Sequence, residues 1–194
     1  MNIIERISEQ LSLSPGFTAD FLSRAETIYL PKQGYFVKQG QVCNYIGLVQ
    51  EGSLFSSTPT ETGDDSVDDF FLTDSFVASY RSFLTRCPSP GSIQAHSSST
   101  LYAISYQTFC ATGQSLDWVK FFKYISEVLF IRKCQKTTSL MTDTAAQRYA
   151  KLVAAHPRIE QQFPQYLIAS FLNVRPETLS RLKSLDLHQG KAPA

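Results

Sequence analysis

The chain has 194 residues, of which 43% are hydrophobic and 18% are charged. This length can bury one generous core, or a larger and a smaller core joined by a helix. No apolar run approaches the roughly 20 residues that cross a bilayer, and the charged N-terminal segment does not fit a signal peptide. We therefore expect a cytoplasmic protein with no membrane partner.

The residue types that usually carry metal or catalytic chemistry do not form a recognisable motif. The four cysteines are dozens of residues apart and form no CxxC pair, so they indicate neither a zinc site nor a redox dithiol. The sequence also lacks a nucleophile elbow, a phosphate loop and an HExxH motif. We expect free thiols, no metal, no catalytic residues and no enzyme activity.

The net charge of +1 hides an uneven distribution along the chain. Residues 1–114 contain six Lys/Arg and eleven Asp/Glu, whereas residues 115–194 contain twelve and six. A partner rich in phosphates would be attracted to the C-terminal part and repelled by the rest. The split favours nucleic acid as a partner, and an ordinary solvated basic helical domain is the alternative.

The first two thirds of the chain change from a helical to a strand pattern. Apolar spacing in residues 3–25, interrupted by Ser-Pro-Gly, predicts two short helices. From Thr27 to about Ser105, short β-rich runs alternate with turn residues, which predicts an antiparallel sandwich or roll. The acidic segment 60–69 lies between two of these runs and is expected to be an exposed hairpin loop.

Beyond Gly113 the apolar pattern is helical over residues 115–140. The helix contains more apolar residues than one contact surface can cover: Leu116, Trp118, Val119, Phe121, Phe122, Tyr124, Ile125, Leu129 and Ile131. We expect one side to pack on the β domain and another to pair with the same helix of a second subunit. A helix buried inside a monomer is the alternative.

The C-terminal segment predicts a helix followed by a helix-turn-helix. Thr142 and Asp143 resemble helix-start residues, and Pro157 would end that helix. In PQYLIASFLNVRPETLSRLKSL, Ala169 is small where a second helix must cross, and Asn173 lies at the turn. Asn is suited to a left-handed backbone angle there, and Pro176 to the first turn of the next helix.

The outer face of that second helix has the residue types that read a DNA groove. Arg can donate two hydrogen bonds to guanine, Glu can accept from cytosine, and Ser, Thr and Lys contact phosphates or base edges. The candidate DNA-binding residues are Arg175, Glu177, Thr178, Ser180, Arg181 and Lys183. The alternative is a helical hairpin that has a polar exterior and does not bind DNA. Such a hairpin would explain the apolar spacing but no other feature of this segment.

Two segments, YFVKQGQVCNYIGLVQEG and LIASFLNVRPETLSRLK, resemble the Crp/Fnr regulators, the superfamily of the cAMP receptor protein. The resemblance covers nearly the whole chain. It implies an α+β fold with an N-terminal antiparallel β-roll (a double-stranded, cupin-like β-helix of the cyclic-nucleotide-binding type), a long dimerisation helix and a C-terminal helix-turn-helix. It also implies a homodimer on an inverted-repeat operator. The chain ends soon after the second helix, so the β-wing is expected to be reduced or absent.

The ligand cassette departs from the resemblance. Members that bind cAMP carry Gly-Glu for the ribose and Arg-Ser or Arg-Ala for the phosphate, but Ser75-Phe76-Val77 and Pro90-Gly91-Ser92 stand near those places here. A buried cyclic nucleotide would leave its anion poorly paired, so cAMP is not expected and no cofactor is assigned. The alternative is that Arg81 or Arg86 pairs with the phosphate from another direction, although both also fit a solvated surface loop. A different ligand could contact a pocket formed by Phe76, Tyr80, Arg81, Ser82, Phe83 and Ser92.

These observations predict an effector domain over 1–114, a dimerisation helix over 115–140 and a DNA-binding domain over 141–194. The expected function is transcription regulation on double-stranded DNA by a homodimer, which is either gated by an unidentified small ligand or active without one. RNA polymerase is an expected partner of an activator. The alternative is a cyclic-nucleotide-binding-like signalling or interaction module without sequence-specific DNA binding.

Overall fold

The computed structural model describes residues 2–61 and 63–189, with side chains up to Ser184. The chain divides into two compact units. The first contains residues 1–56 and 70–132, and the second contains residues 57–69 and 133–194. The division differs from the predicted domains, because the tip of a hairpin assigned to the effector domain is grouped with the C-terminal helices.

The β-rich region forms two antiparallel sheets among the described residues. Its strands are β1 (Glu26–Leu30), β2 (Tyr35–Val37), β3 (Tyr45–Glu51), β4 (Leu54–Pro59), β5 (Asp65–Phe71), β6 (Phe76–Val77), β7 (Ser92–Ala95) and β8 (Ser99–Ser105). One sheet has the order β1-β8-β3-β6 and the other the order β2-β7-β4-β5. In the first, Ile28 faces Leu101 and Gly47 faces Ala103. This arrangement confirms the predicted antiparallel roll.

Helices precede, interrupt and follow the strands. They are α1 (Ile3–Gln10), α2 (Phe17–Arg24), α3 (Tyr80–Thr85), α4 (Tyr106–Thr112), α5 (Leu116–Thr142), α6 (Ala145–Ala155), α7 (Ile159–Gln162), α8 (Gln165–Phe171) and α9 (Pro176–Gln189). The two short N-terminal helices and the long helix were predicted, whereas α3 and α4 were not. The predicted reduced or absent wing concerns the chain end at 190–194, which lies outside the described residues.

An aromatic cluster fastens α5 to the N-terminal helices within the first unit. Trp118 and Phe121 are buried, and the ring of Phe17 lies 5.1 Å from that of Trp118 and 5.2 Å from that of Phe121. The Trp118 indole nitrogen donates to Asp20 at 2.7 Å, so its polar group is satisfied although the ring is buried. The N-terminal half of α5 is therefore part of the roll's core.

The acidic segment 60–69 is only partly a loop. The turn closes between Thr60 and Asp64, where the Thr60 amide donates to the Asp64 carbonyl at 2.8 Å and Gly63 has a φ of 89°. Strand β5 begins at Asp65, and Val67 is buried. The acidic composition predicted a solvated loop where β5 begins. The carboxylates of Asp65 and Asp68 instead accept hydrogen bonds from the opposite strand of the hairpin.

Helix α6 begins two residues after the predicted start. Thr144 is the N-cap and forms a capping box with Gln147, in which each side chain bonds the other residue's amide. Helix α5 continues through Thr142 instead. Asp143 accepts from Lys151 at 2.6 Å, so its carboxylate holds the next helix without capping it.

Replacing Trp118 with alanine tests whether this aromatic cluster holds α5 on the roll. Trp118→Ala should lower the free energy of unfolding by about 3–5 kcal/mol, since loss of a buried indole leaves a cavity and removes one hydrogen bond to Asp20. Tyr29→Ala is the matched control, because Tyr29 is 75% exposed in β1. Urea denaturation followed by circular dichroism measures both, and equal losses would contradict this account of the core.

Candidate nucleic-acid interface

The turn between α8 and α9 has the left-handed geometry that was predicted. Asn173 has a φ of 52°, a conformation that asparagine adopts more readily than most residues. The Val174 amide donates to the Ala169 carbonyl at 3.0 Å, which closes the turn over the end of α8. Ala169 is buried, so a larger side chain there would push the helices apart.

Helix α9 begins at Pro176, as predicted. Its inner face is held by Leu179, which is fully buried. The Arg175 carbonyl accepts from the Thr178 and Leu179 amides, so the first turn is already closed. Gln165 also ties the two helices together, since its side-chain amide donates to the Pro176 carbonyl at 3.3 Å.

Most of the predicted DNA-binding side chains are exposed on α9 or on the residue directly before it. The exposed set is Arg175, Glu177, Thr178, Ser180 and Arg181. Glu177 and Arg181 are four residues apart and therefore lie on one face of the helix. The positive end of the helix dipole is at the same end of α9, which favours an anionic partner there.

Lys183 differs from the other predicted contacts. Its ammonium lies 2.7 Å from the Glu160 carboxylate, and the same oxygen accepts from the Tyr149 hydroxyl at 2.8 Å. Lys183 is four residues after the buried Leu179, so helical spacing places it on the flank of α9 that faces the protein. That spacing was available in the sequence, whereas its partner Glu160 could not be identified there.

Arg148 is a second anchoring residue that sequence analysis did not identify. Its guanidinium donates to the Leu172 carbonyl at 2.9 Å and to the Asp143 carbonyl at 2.7 Å. These carbonyls lie at the ends of α8 and α5, where helices leave backbone acceptors without partners. Arg148 therefore joins three helices of the second unit beneath the turn.

The six residues of the predicted ligand pocket lie in β6, α3 and β7, and the rings of Tyr80 and Phe83 are stacked. Phe76 packs edge-on against Phe121, and the Tyr80 hydroxyl lies 2.5 Å from the Ser126 hydroxyl. Phe83 is fully buried between aromatic rings, whereas Arg81 is exposed. A recess beside Phe76 in the first unit is lined chiefly by apolar side chains of β3, β8 and α5.

The pocket serines are already used in local hydrogen bonds. Ser82 accepts from the Cys43 amide at 3.0 Å and donates to the Cys87 carbonyl. Ser92 accepts from the Gln39 amide at 3.0 Å. Arg86 donates to the Cys43 carbonyl at 2.9 Å, and its guanidinium lies 4.0 Å from the centre of the Tyr106 ring. These side chains hold the loops of the roll together.

The fold matches those of several solved structures. FixK2 from Bradyrhizobium japonicum aligns with a TM-score of 0.75 at 16% identity, covering 86% of each chain. CLP from Xanthomonas campestris, a global regulator described as responsive to c-di-GMP, aligns at 0.68 and 15%, covering 93% of this chain and 95% of that one. The catabolite activator protein of Thermus thermophilus aligns at 0.57 and 18%, covering 94% and 87%.

The chain has the Crp/Fnr fold. This confirms the α+β architecture predicted from the resemblance, with a β-roll, a long helix and a C-terminal helix-turn-helix. No protein-family model and no curated sequence matches the chain. In the described part of the chain, no helix is long and apolar enough to cross a membrane.

Within the Crp/Fnr fold, Glu160 acts as the anchor of α9. Burial raises the pKa of the Glu160 carboxyl, but hydrogen bonds from Lys183 and Tyr149 outweigh it, so the pKa lies below its ordinary value. The charged form is therefore the one that stabilises the fold. This stabilisation is present above the ordinary pKa of 4.5 and is lost as the pH falls through the lower folded value.

Glu160→Gln should destabilise the protein by about 1 kcal/mol at pH 7, because the ion pair is partly exposed. The difference from the wild type should shrink as the pH falls below 4.5. Thermal unfolding between pH 3 and pH 7 measures it. The matched control is Glu127→Gln, which removes an exposed pair with Lys123. A pH-independent difference would show that the charge of Glu160 does not anchor α9.

Proposed function

We propose that this protein is a DNA-binding transcription regulator that acts as a homodimer on an inverted-repeat operator. One observation carries the proposal: α9 follows a tight left-handed turn and presents a row of groove-reading side chains. In helix-turn-helix proteins the start of the second helix enters the major groove. The Crp/Fnr fold, shared with regulators such as FixK2 and CLP, supports the same function.

The exposed residues divide into base-reading and backbone-positioning roles. Arg175 and Arg181 have the guanidinium geometry that pairs with two acceptors of guanine, and Glu177 can accept from cytosine. Thr178 and Ser180 suit phosphate oxygens, which position the protein without reading sequence. Lys183 supports this arrangement indirectly, because its ion pair with Glu160 holds the flank of α9.

The exposed apolar side of α5 supports the dimer. On the isolated chain Leu116 is 68% exposed, Phe130 69% and Met141 81%. Phe130, Cys134, Thr137 and Met141 follow one another at spacings of four, three and four residues, which is the pattern of a two-helix seam. A second copy of the chain would cover this stripe, and two-fold symmetry would then present two α9 helices to two half-sites.

We further propose that cAMP is not the effector of the roll. The residues near the usual cassette positions supply neither a carboxylate nor a guanidinium, and Arg86 is engaged with the Cys43 carbonyl and the Tyr106 ring. A buried cyclic phosphate would therefore lack a strong partner. RNA polymerase belongs to this proposal as the partner through which an activator of this kind would act.

Selection of genomic DNA fragments by the purified protein tests the DNA-binding function. The wild type should enrich an inverted repeat, with the same result in the presence of cAMP. Arg181→Ala should weaken binding to that repeat by about 1–3 kcal/mol, or roughly 5- to 150-fold, since a bidentate base contact is lost. Arg6→Ala is the control, because Arg6 forms an exposed ion pair with Asp74 in the roll.

The outcomes of the selection separate the two candidate functions. Enrichment of one repeat that depends on Arg181 supports the regulator. Binding that is equally weak on all sequences would instead favour an interaction module, because such a module has no reason to discriminate among DNA sequences. A repeat recovered only with cAMP would contradict the proposal about the effector.

The dimer interface is tested by placing a charge in the exposed stripe of α5. Phe130→Asp should shift the protein from two chains to one in sedimentation equilibrium, because an unpaired carboxylate cannot be buried in an apolar seam. Leu84→Asp is the matched control, since Leu84 is an exposed apolar residue of α3. A monomeric wild type, or an equally dimeric Phe130→Asp variant, would exclude this seam.

A further inference from the structure

Strand β5 lies at the edge of its sheet, and its outer backbone groups meet side chains of the C-terminal helices. The Val67 amide donates to the Ser170 hydroxyl of α8 at 2.9 Å. The same hydroxyl donates to the Asp65 carbonyl at 3.3 Å. One serine therefore occupies the place of a neighbouring strand, accepting from one residue of β5 and donating to another two positions away.

Lys136 of α5 extends the same contact. Its ammonium donates to the Val67 carbonyl at 2.8 Å and to the Asp68 carbonyl at 2.9 Å. It also lies 3.7 Å from the centre of the Phe171 ring, at the end of α8. Lys136 thus touches the hairpin and the first helix of the helix-turn-helix at the same time. All of these residues belong to the second unit.

An edge strand normally carries unpaired amides and carbonyls that attract another strand. Here Ser170 and Lys136 satisfy the backbone groups of Asp65, Val67 and Asp68. We call this set of contacts the clasp. The residues joined to Ser170 are more than one hundred positions away along the chain. Closing such a large loop costs conformational entropy, so a specific set of hydrogen bonds is needed to hold it.

We propose that Ser170 and Lys136 are positioning residues for DNA reading: they clasp α8 to the edge of the β4–β5 hairpin and thereby fix the orientation of the helix-turn-helix. The inference rests on the proposed DNA-binding function. It assigns the hairpin tip to the DNA-binding machinery.

The charges around Lys136 make the clasp easy to monitor. Asp68 and Asp69 of β5 and Lys133 of α5 are the charged neighbours, and α8 contains no charged residue. Burial lowers the pKa of Lys136 to about 8, and the two carboxylates only partly oppose it. When the clasp opens, Lys136 is hydrated and its pKa should return toward the ordinary 10.5. The pKa of Lys136 therefore reports whether the clasp is closed.

Three variants test the clasp in the full-length protein. Ser170→Ala removes the hydroxyl, Ser170→Thr keeps it, and Lys136→Met removes the ammonium at similar length. Lys133→Met is the matched control, because Lys133 is exposed on the same helix and lies 4.0 Å from the Asp68 carboxylate. Affinity is measured on the operator recovered by selection. The pKa of Lys136 is measured by ¹³C NMR titration of the lysine side chain in the absence of DNA.

Ser170→Ala and Lys136→Met should weaken operator binding at least fivefold, whereas Ser170→Thr and Lys133→Met should stay within about twofold. Ser170→Ala should also raise the pKa of Lys136, and Ser170→Thr should not. Unchanged operator affinity in Ser170→Ala, or tighter binding, would overturn the positioning role. If the wild type recognises no operator, but Ser170→Ala still raises the pKa of Lys136, the proposed DNA-binding function is refuted. The clasp itself would then still be present.

Discussion

The backbone conformation at Asn173 is the constraint on which the C-terminal part of the structure depends. A φ of 52° lets the chain reverse between α8 and α9 within a few residues. Leu179 of α9 and Ala169 of α8 are both buried after this reversal, and the opposite side of α9 is exposed. Had the chain continued as a helix through this point, the same residues would lie along one continuous helix and could not pack as two crossing helices.

The sequence predicted those features whose cause is local. Asn173 at the turn and Pro176 at the helix start follow from backbone preferences of single residues, and the burial of Leu179 follows from helical spacing. The clasp and the anchor of α9 could not be found this way. Ser170 bonds Val67, and Glu160 bonds Lys183, across separations that no short-range pattern records.

In the roll, too, features with local causes were predicted from the sequence, and contacts between residues distant along the chain were not. Alternating runs and turn residues were sufficient to predict antiparallel strands, but composition misrepresented the hairpin tip. Its carboxylates suggested a solvated loop, yet Asp65 and Asp68 bond hydroxyls of the opposite strand and Val67 is buried. Ser82, which stays a predicted ligand contact, is buried and bonds the Cys43 amide, since short polar side chains near loops often satisfy backbone groups. Phe83, predicted for the same pocket, packs against Phe109.

The structure divides the basic residues of the C-terminal part into those that contact other protein groups and those that are exposed. Several basic residues of the C-terminal part are engaged within the protein: Lys123, Lys136, Arg148, Lys151 and Lys183 contact carboxylates or backbone carbonyls. Arg175 and Arg181 are instead exposed at the start of α9. Net charge alone attracts phosphates without choosing a sequence. In the proposed function, the guanidinium groups of Arg175, just before α9, and Arg181, within it, would both attract phosphates and select bases, because the helix-turn-helix sets their backbone spacing.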